Sequence, residues 1–308
     1  MFIYKVNDCS GIAPSVATIG FFDGVHRGHQ FLLNGVRELA RQRGLASMAI
    51  TFSVHPRKVL HESYMPQLLT TCDEKLTLLE KIGLDQTALL DFSQSLSQMT
   101  AREFMQKVIS ELLNVKVLVI GYDHRFGHNR EEGFEQYVQY GKEMGLEVVQ
   151  AQVCSIEHVN VSSSVVRSFL GEGYVDMANR CLGYEYAIEG RVVHGFQVGR
   201  KLGFPTANIQ PEDADKMLPA NGVYAVKVDV QGRKCFGMLN IGCRPTLNNG
   251  ENVSIEVHII DWDSEIYGEK IKVGFVKKIR DEQPFDNLLQ LESQLKKDAE
   301  YVRFLFYS

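Results

Sequence analysis

The sequence predicts an α/β chain of two domains: an N-terminal Rossmann-like domain with a parallel sheet, followed by a small antiparallel β-barrel domain with a C-terminal helix. In the first half of the 308 residues, short apolar runs rich in β-formers alternate with segments of helical period. The second half contains strand patterns without long helices between them. The chain is long enough for two cores, and we expect a first domain of residues 1–183 and a second of residues 184–308.

The first half alternates strands and helices. Its first long helix places Leu32, Val36, Leu39 and Ala40 on one side and ends at Gly44, since glycine suits a helix C-cap. We expect strands at 16–21, 46–52, 87–92, 116–121 and 146–153, and further helices at 101–113 and 131–144. Ligands of such parallel sheets bind beyond the carboxyl ends of the strands.

The second half begins after a short helical pair, 164–170 and 175–182, which Gly171 and Gly173 interrupt. Strands are expected at 186–194, 223–230, 234–241, 253–260 and 270–276. The last segment has apolar residues at helical spacing, so one closing helix should pack on the barrel. These apolar residues are Leu288, Leu291, Leu295, Ala299 and Val302.

Composition excludes several classes of protein. The 33 basic and 38 acidic residues give a net charge of −5, which provides no broad electrostatic surface for nucleic acid. The N-terminal residues lack the features of a signal peptide, and no apolar stretch approaches the ~20 residues of a membrane span. The six cysteines form no CxxC pair. We therefore expect a cytoplasmic protein with neither a membrane nor a nucleic-acid partner.

The segment GFFDGVHRGH at residues 20–29 lies between the first predicted strand and the first long helix. It places His26 and His29 three residues apart beside the unpaired N–H groups and positive dipole of a helix N-terminus. Gly24 and Gly28 allow a ligand to approach the backbone closely. This pattern predicts a nucleotide polyphosphate ligand, although the two histidines could instead only cap and pack the turn.

Three further polar segments of the first half lie at strand exits or helix entries. They are TFSVHP at 51–56, GYDHRFG at 121–127 and VSSSVVR at 161–167. The serine run could simply cap a helix, but Ser163 and Ser164 also offer donors beside Arg167 for a triphosphate.

In the second half, the segment GRKLGFPTAN at 199–208 is basic and rich in glycine. Its spacing is not that of a Walker A loop, and a hairpin turn with solvated charges is the alternative to a phosphate loop. Further on, Ile255, Val257 and Ile259 point to one face of a strand, so Glu256 projects from the other. Such a glutamate could be a surface residue or a proton acceptor.

The histidine segment resembles the HxGH signature of nucleotidyltransferases and, in its longer form, the family of bacterial bifunctional riboflavin kinases/FMN adenylyltransferases (FAD synthetases). The other segments resemble the TFxxHP, GxDFRFG, ISSTxIR and PTAN blocks of that family, and residues 240–246 resemble its NIGxRPT block. The chain departs from these blocks at His124, where phenylalanine is usual, and at Ser164, where threonine is usual. The resemblance covers nearly the whole chain.

The resemblance implies an ATP- and Mg²⁺-dependent transferase that converts riboflavin to FMN and then FMN to FAD and pyrophosphate. It implies catalytic roles for Glu256, His26, His29 and Arg167, and Mg²⁺ ligands at Thr206 and Asn208. Implied ATP and phosphate contacts are Gly20, Phe21, Asp23, Gly24, Gly28, Ser163, Ser164, Gly199, Arg200, Lys201 and Gly203. Implied flavin contacts are His55, Asp123, Arg125, Phe126 and Arg244.

Two alternatives remain at this point: an adenylyltransferase with a single activity, and a flavin-binding module without catalysis. The sequence does not predict the oligomeric state.

Overall fold

The computed structural model describes residues 1–5, 11–60, 67–121, 124–151, 161–195, 199, 202–244 and 252–307, without the side chains of residues 243, 244 and 252. The chain divides into two compact units, Met1–Ser163 and Ser164–Ser308. This division falls before the short helical pair, whereas the sequence places the domain boundary after it. The boundary between residues 183 and 184 stays a prediction, which a truncation experiment can test.

The first unit contains a sheet of six parallel strands, as predicted, in the order β1-β4-β3-β2-β5-β6. Only the short edge strand β1 was not predicted; its Phe2 is 72% exposed, so it lacks the pattern of a buried strand. The strands are β1 (Phe2–Lys5), β2 (Ser15–Ile19), β3 (Ala46–Phe52), β4 (Gln86–Leu90), β5 (Val115–Ile120) and β6 (Glu147–Gln150).

The strand order creates a crevice at the carboxyl ends of β2 and β5. From β2 the chain continues to β3 and β4 on one side of the sheet, and β5 and β6 lie on the other side. Adjacent parallel strands whose connections run to opposite sides leave a gap above their carboxyl ends, where ligands of open α/β sheets bind. The histidine turn follows β2, and the segment with His124 follows β5.

The helices predicted from the sequence are present, and three further helices, at 56–60, 72–82 and 94–97, were not predicted. Helix α1 ends where Gly44 adopts a φ of 65° and its N–H group reaches the carbonyls of Ala40 and Arg41. The predicted helix at 101–113 is a short α-helix that continues as a π-helix over Phe104–Leu112. The helices are α1 (Arg27–Arg43), α2 (Pro56–Leu60), α3 (Cys72–Ile82), α4 (Gln94–Ser97), α5 (Ala101–Glu103), α6 (Phe134–Met144), α7 (Ser163–Gly171) and α8 (Val175–Leu182).

The second unit is a closed antiparallel barrel in the order β10-β11-β8-β7-β12-β9, as predicted. The strand β8 was not predicted, because it begins inside the glycine-rich segment 199–208, whose composition is typical of a turn. The strands are β7 (Ala187–Val193), β8 (Ala207–Pro211), β9 (Gly222–Val230), β10 (Arg233–Arg244), β11 (Asn252–Ile259) and β12 (Lys270–Arg280).

The closing helix α9 (Leu288–Tyr307) packs Ala299 and Val302 against a barrel cluster that includes Val223 and Met238, as predicted. Leu288 is an exception to the predicted face. It is 61% exposed because it stands in the first turn of the helix, before the part that lies on the barrel. Among the residues that the structure describes, no helix has both the length and the apolar character needed to cross a membrane.

Candidate active sites

The turn between β2 and α1 has an unusual backbone. Phe22, Gly24 and Val25 all have positive φ, at 54°, 77° and 36°. Gly20 makes room for this turn, since a Cβ there would lie 2.9 Å from the ring of Phe22. The chain therefore reverses sharply and presents the start of α1 to the crevice above the sheet.

His26 and His29 form a stacked pair at the start of α1. Their ring centroids are 3.6 Å apart, and Nδ1 of His26 accepts a hydrogen bond from the backbone N–H of His29 at 3.3 Å. His26 is thus the N-cap of the helix, so the capping role weighed as an alternative is real for this residue. Gly28 keeps the pair compact, because a Cβ there would lie 3.2 Å from both the His26 ring and the carbonyl oxygen of Val161.

His29 is the member of the pair with an unsatisfied ring nitrogen. Its Nδ1 is buried and has no hydrogen-bond partner among the described residues. Burial first, and then the neighbouring imidazoles of His26 and His124, hold the pKa of His29 well below its ordinary value. A neutral imidazole with an unused nitrogen beside a helix N-terminus is suited to contact an anionic ligand.

Asp23 fixes the position of the turn. Its carboxylate is buried and accepts hydrogen bonds from the backbone N–H groups of Leu69 and Thr70, both at 3.0 Å. The hydroxyl of Ser163 donates to the carbonyl of Asp23 at 2.9 Å, which ties the predicted serine to the turn. These contacts give Asp23 a positioning role, and its predicted direct contact with nucleotide stays a prediction. Thr70 was not found from the sequence, because it lies far from the motif.

Phe21 belongs to a second small cluster beside the turn. Its ring lies 4.7 Å from that of His55 and 4.2 Å from Nζ of Lys75. Lys75 is buried and donates to the carbonyl of Phe52 at 2.7 Å; burial lowers its pKa to about 8. Lys75 was not predicted as a site residue, since nothing local distinguishes it from the other lysines of a helix.

The segment after β5 is anchored by aromatic packing. Phe126 is buried, stacks on Tyr137 at 4.4 Å, and its N–H group donates to the Tyr137 hydroxyl at 3.1 Å. Arg125 is exposed, and Asp123 lies outside the described residues. The flavin contacts of these residues and of His55 stay predictions.

Ser164 and Arg167 lie in the first two turns of α7 and belong to the second compact unit. Ser164 is exposed and Arg167 is half-buried. Their predicted contacts with ATP phosphates stay predictions.

In the barrel, Glu256 stands in a row of three polar residues. It pairs with Asn208 across β11 and β8, and with Asn240 across β11 and β10. Residues directly opposite in antiparallel strands share one face, so their side chains are neighbours. The predicted alternation is confirmed, since Ile255, Val257 and Ile259 are buried and Glu256 is half-buried.

Thr206 completes this row. Its hydroxyl donates to Oε2 of Glu256 at 3.3 Å. Asn208 is almost fully buried, and a Cβ at Gly195 would lie 2.0 Å from its Nδ2. The backbone at residue 195 therefore covers Asn208. The structure thus brings the three predicted residues Thr206, Asn208 and Glu256 together on one face of the barrel.

The predicted phosphate loop leads directly into this row. The carbonyl of Gly199 accepts from the N–H groups of Leu202 and Phe204 at 3.0 and 2.9 Å, and Gly203 has a φ of 79°. Gly199 must be small, since a Cβ there would lie 2.3 Å from the carbonyl oxygen of Phe204. Arg200, Lys201 and the side chain of Arg244 lie outside the described residues.

Two cavities meet at the Glu256 row. The glutamate cavity, about 250 Å³, is lined by Glu256 and by apolar side chains that include Met238, Phe285 and Leu291. The larger of the two cavities, about 750 Å³, lies between residues 203–207 and 261–267 and includes Arg303. The two cavities share Phe204, Thr206 and His258.

His258 and Glu282 are further site residues that the sequence analysis did not select. Nδ1 of His258 lies 2.9 Å from the carbonyl of Pro205, which fixes the residue before Thr206. Burial lowers the pKa of His258. The carboxylate of Glu282 accepts from Nδ2 of Asn240 at 3.0 Å and lines the glutamate cavity. Glu282 lies outside every motif, so no sequence signal could have found it.

The donors at the Glu256 row are a hydroxyl, an amide and a carboxylate. These are hard oxygen ligands of the kind that Mg²⁺ prefers. Among the described residues there is no group of three or more histidine, cysteine, aspartate or glutamate side chains that could hold a metal.

An open parallel sheet with stacked imidazoles at its first helix, joined to a closed barrel with a glutamate in one of two adjoining cavities, defines a two-domain nucleotide-dependent transferase. The FAD synthetase family model matches residues 10–165, and the riboflavin kinase family model matches residues 182–306. The chain belongs to the family of bifunctional riboflavin kinases/FMN adenylyltransferases. The family models and the curated relatives thus confirm the family and the pair of activities predicted from the sequence.

Curated members of this family resemble the chain over nearly its whole length. The Escherichia coli (strain K12) enzyme is 39% identical over 292 residues, which are 94% of this chain and 92% of that protein. The Pseudomonas fluorescens enzyme is 37% identical over 290 residues, with the same coverage of 94% and 92%. A crystal structure from Streptococcus pneumoniae, described as a macrolide-efflux protein, has a TM-score of 0.89 at 33% identity and covers 98% of this chain and 99% of that one.

Proposed function

We propose that the first domain transfers AMP from ATP to FMN and that the second phosphorylates riboflavin, with the site residues acting as set out below. The observation that carries this proposal is the position of Glu256, whose carboxylate accepts from Thr206 at the meeting point of two cavities. The stacked pair of His26 and His29 supports the same proposal for the first domain.

In the adenylyl transfer, an oxygen of the FMN phosphate attacks the α-phosphorus of ATP. A new P–O bond forms, the bond between the α-phosphorus and its bridging oxygen breaks, and pyrophosphate leaves without a covalent enzyme intermediate. His29 and the N–H groups at the start of α1 stabilise the charge that builds on the departing pyrophosphate. His26 holds this end of the helix through its cap, and Asp23 holds the turn.

Phosphorylation of riboflavin requires removal of a proton from a hydroxyl group. Glu256 accepts that proton as the hydroxyl oxygen attacks the γ-phosphorus of ATP, and ADP leaves. Asn208 and Asn240 lie directly opposite Glu256 on the neighbouring strands, and the Thr206 hydroxyl donates to its carboxylate. Because the carboxylate stands in a formed row, little reorganisation is needed when substrates bind.

The two cavities suit different substrates. The glutamate cavity has apolar side chains in its lining, among them Met238, Phe285 and Leu291, against which a flat flavin ring could pack. It also presents Glu256 to a hydroxyl of the riboflavin side chain. The larger cavity, with Arg303, Asp263 and Ser264, suits a nucleotide. Thr206 borders both cavities, so the γ-phosphate would approach riboflavin beside this residue.

Thr206 and Asn208 would hold Mg²⁺ through their oxygens. When bound, Mg²⁺ neutralises charge on the ATP phosphates and favours departure of ADP. The remaining phosphate contacts at Gly199, Arg200, Lys201 and Gly203, and the flavin contact at Arg244, complete the proposed kinase site.

We also propose a cytoplasmic location with small-molecule substrates only. Cys72 and Cys235 form no disulfide in the part of the chain that the structure describes, which suits a reducing compartment.

Incubation of the purified protein with riboflavin, ATP and Mg²⁺, followed by chromatographic separation of the flavins, tests the proposal. FMN should appear first and FAD later, and FMN supplied directly should yield FAD. Absence of FMN formation would remove the proposed role of the barrel, and absence of FAD formation would remove that of the first domain.

A further inference from the structure

His124 is a buried polar residue whose chemistry the proposed mechanism does not use. Its Nε2 is buried and has no hydrogen-bond partner in the part of the chain that the structure describes. A buried polar atom without a partner destabilises a folded protein and calls for an explanation. Phenylalanine would place a flat ring at this position without this penalty.

The fold places His124 at the crevice where a ligand binds. It follows β5, whereas His26 and His29 follow β2, and these two adjacent strands form the crevice of the sheet. A Cβ at Gly121 would lie 3.6 Å from Cβ of His124 and 4.0 Å from Leu32, which stands one turn after His29 in α1. The imidazole of His124 also lowers the pKa of His29.

Neighbouring residues of the chain hold His124 in place. The backbone N–H of His124 donates to the carbonyl of Gly121 at 3.0 Å, and its ring lies 6.2 Å from that of Phe126. Phe126 in turn stacks on Tyr137. His124 is therefore held in place by the packing of its described neighbours.

We propose that His124 is a further phosphate-contacting residue of the adenylyl-transfer site, with its Nε2–H donating to a phosphate oxygen of FMN or ATP across the crevice from His29. The proposal rests on the proposed function of the first domain. Phosphate oxygens only accept hydrogen bonds, so the contact needs the imidazole tautomer with its proton on Nε2. Burial, and then Arg130, lower the pKa of His124 to about 4, which keeps the free ring neutral near pH 7.

His124→Phe tests the contact in the full-length protein, because it keeps a flat buried ring and removes the nitrogen. Loss of one hydrogen bond to a charged group should lower kcat/KM for FAD formation from FMN and ATP by about 10–100-fold. The same variant should melt at an equal or higher temperature, since it removes an unpaired buried polar atom. A residue that only supports the fold would instead lower both activity and melting temperature.

The substrate dependence separates the two sources of phosphate. A raised KM for ATP alone assigns the contact to the triphosphate, and a raised KM for FMN alone assigns it to the flavin phosphate. His124→Gln retains an N–H donor near the Nε2 position and should keep much of the activity, whereas His124→Met, of similar length, should behave like His124→Phe. This second pair decides the question if the phenylalanine variant fails to fold.

Two controls complete the design. His128 is exposed on the same segment, so His128→Phe should leave the FAD-forming kinetics unchanged. Formation of FMN from riboflavin should be the same in all variants. Unchanged kcat and both KM values in His124→Phe, or equal losses in His124→Gln and His124→Met, would overturn the proposal, whereas failure of the wild-type protein to form FAD would overturn the function on which it rests.

Discussion

The ammonium group of Lys75 lies 4.2 Å from the centre of the Phe21 ring, beneath the turn that carries the two histidines. It donates to the carbonyl of Phe52, and burial lowers its pKa from 10.5 to about 8. The folded protein therefore holds this proton less tightly than the unfolded chain. Between about pH 8 and 10.5 the unfolded chain binds more protons at this site, so the stability contributed by Lys75 rises with pH.

Lys75→Met should accordingly change the pH dependence of stability. As the pH rises through this window, the free energy of unfolding of the wild-type protein should increase relative to that of the variant, by up to about 1.4 kcal/mol per pH unit. Calorimetric or urea-induced unfolding between pH 7 and 10 measures it. Lys81→Met, at an exposed position of the same helix, is the matched control. A difference that does not vary with pH would show that Lys75 titrates normally.

Glu256→Gln should lower riboflavin phosphorylation by about 10²–10⁴-fold, because it removes the proton acceptor at nearly unchanged volume. Riboflavin binding should be retained, so the loss should appear in kcat. The conversion of FMN to FAD in the same sample reports that the rest of the protein is folded. Glu300→Gln, on the exposed side of α9, should have wild-type activity. Normal FMN formation by Glu256→Gln would assign the proton to another group.

His29→Ala should lower FAD formation by about 10²–10³-fold and leave FMN formation unchanged, because one donor to the departing pyrophosphate is lost. The loss should appear in kcat more than in the KM for FMN, since this charge develops as the bond breaks. Rates of both half-reactions on one preparation measure the effect. An equal decrease in both reactions would indicate a structural histidine.

Thr206→Val should raise the Mg²⁺ concentration needed for half-maximal FMN formation by about tenfold, because one oxygen ligand is replaced by a methyl group. Thr206→Ser retains the hydroxyl and should stay close to the wild-type value. Titration of Mg²⁺ at fixed ATP measures both variants, and a chelator should abolish the reaction. Identical Mg²⁺ dependence in Thr206→Val and the wild-type protein would remove Thr206 from the metal site.

A fragment of residues 164–308 should form FMN and should melt at a higher temperature than a fragment of residues 184–308. The shorter fragment lacks α8, whose Val175, Ala178 and Leu182 are fully buried, and the bond from Asn179 to the carbonyl of Phe275. Melting curves and kinase rates of the two fragments compare the boundaries. Equal stability would favour the boundary after residue 183.

The sequence predicts most of the fold because both domains carry regular patterns. Burial of Ile255, Val257 and Ile259 follows from simple alternation, and the end of α1 follows from one glycine. Strand β8 was missed because its residues form part of a motif with turn-like composition. Pairing with β11 brings these residues into the barrel, and that pairing is not a local property.

The same reason explains which site residues were missed. Asn240 and Thr70 act through partners that are 16 and 47 positions away in the chain, at Glu256 and Asp23. The motif predicts Asp23 as a nucleotide contact, which stays a prediction, whereas the bonds from its carboxylate to a neighbouring segment were not predicted. Sequence patterns predict which chemistry a residue can perform better than they predict which residues it contacts in the fold.

Val25 stands in the histidine turn with a φ of 36°, a conformation that β-branched residues avoid. Holding it there costs of order 1–3 kcal/mol, and its side chain is fully buried, so the surrounding core imposes the conformation. The packing of the surrounding core thus maintains backbone strain in this turn. Selection for greater stability alone would relax this position, and the imidazoles downstream would lose their alignment as the protein became harder to unfold.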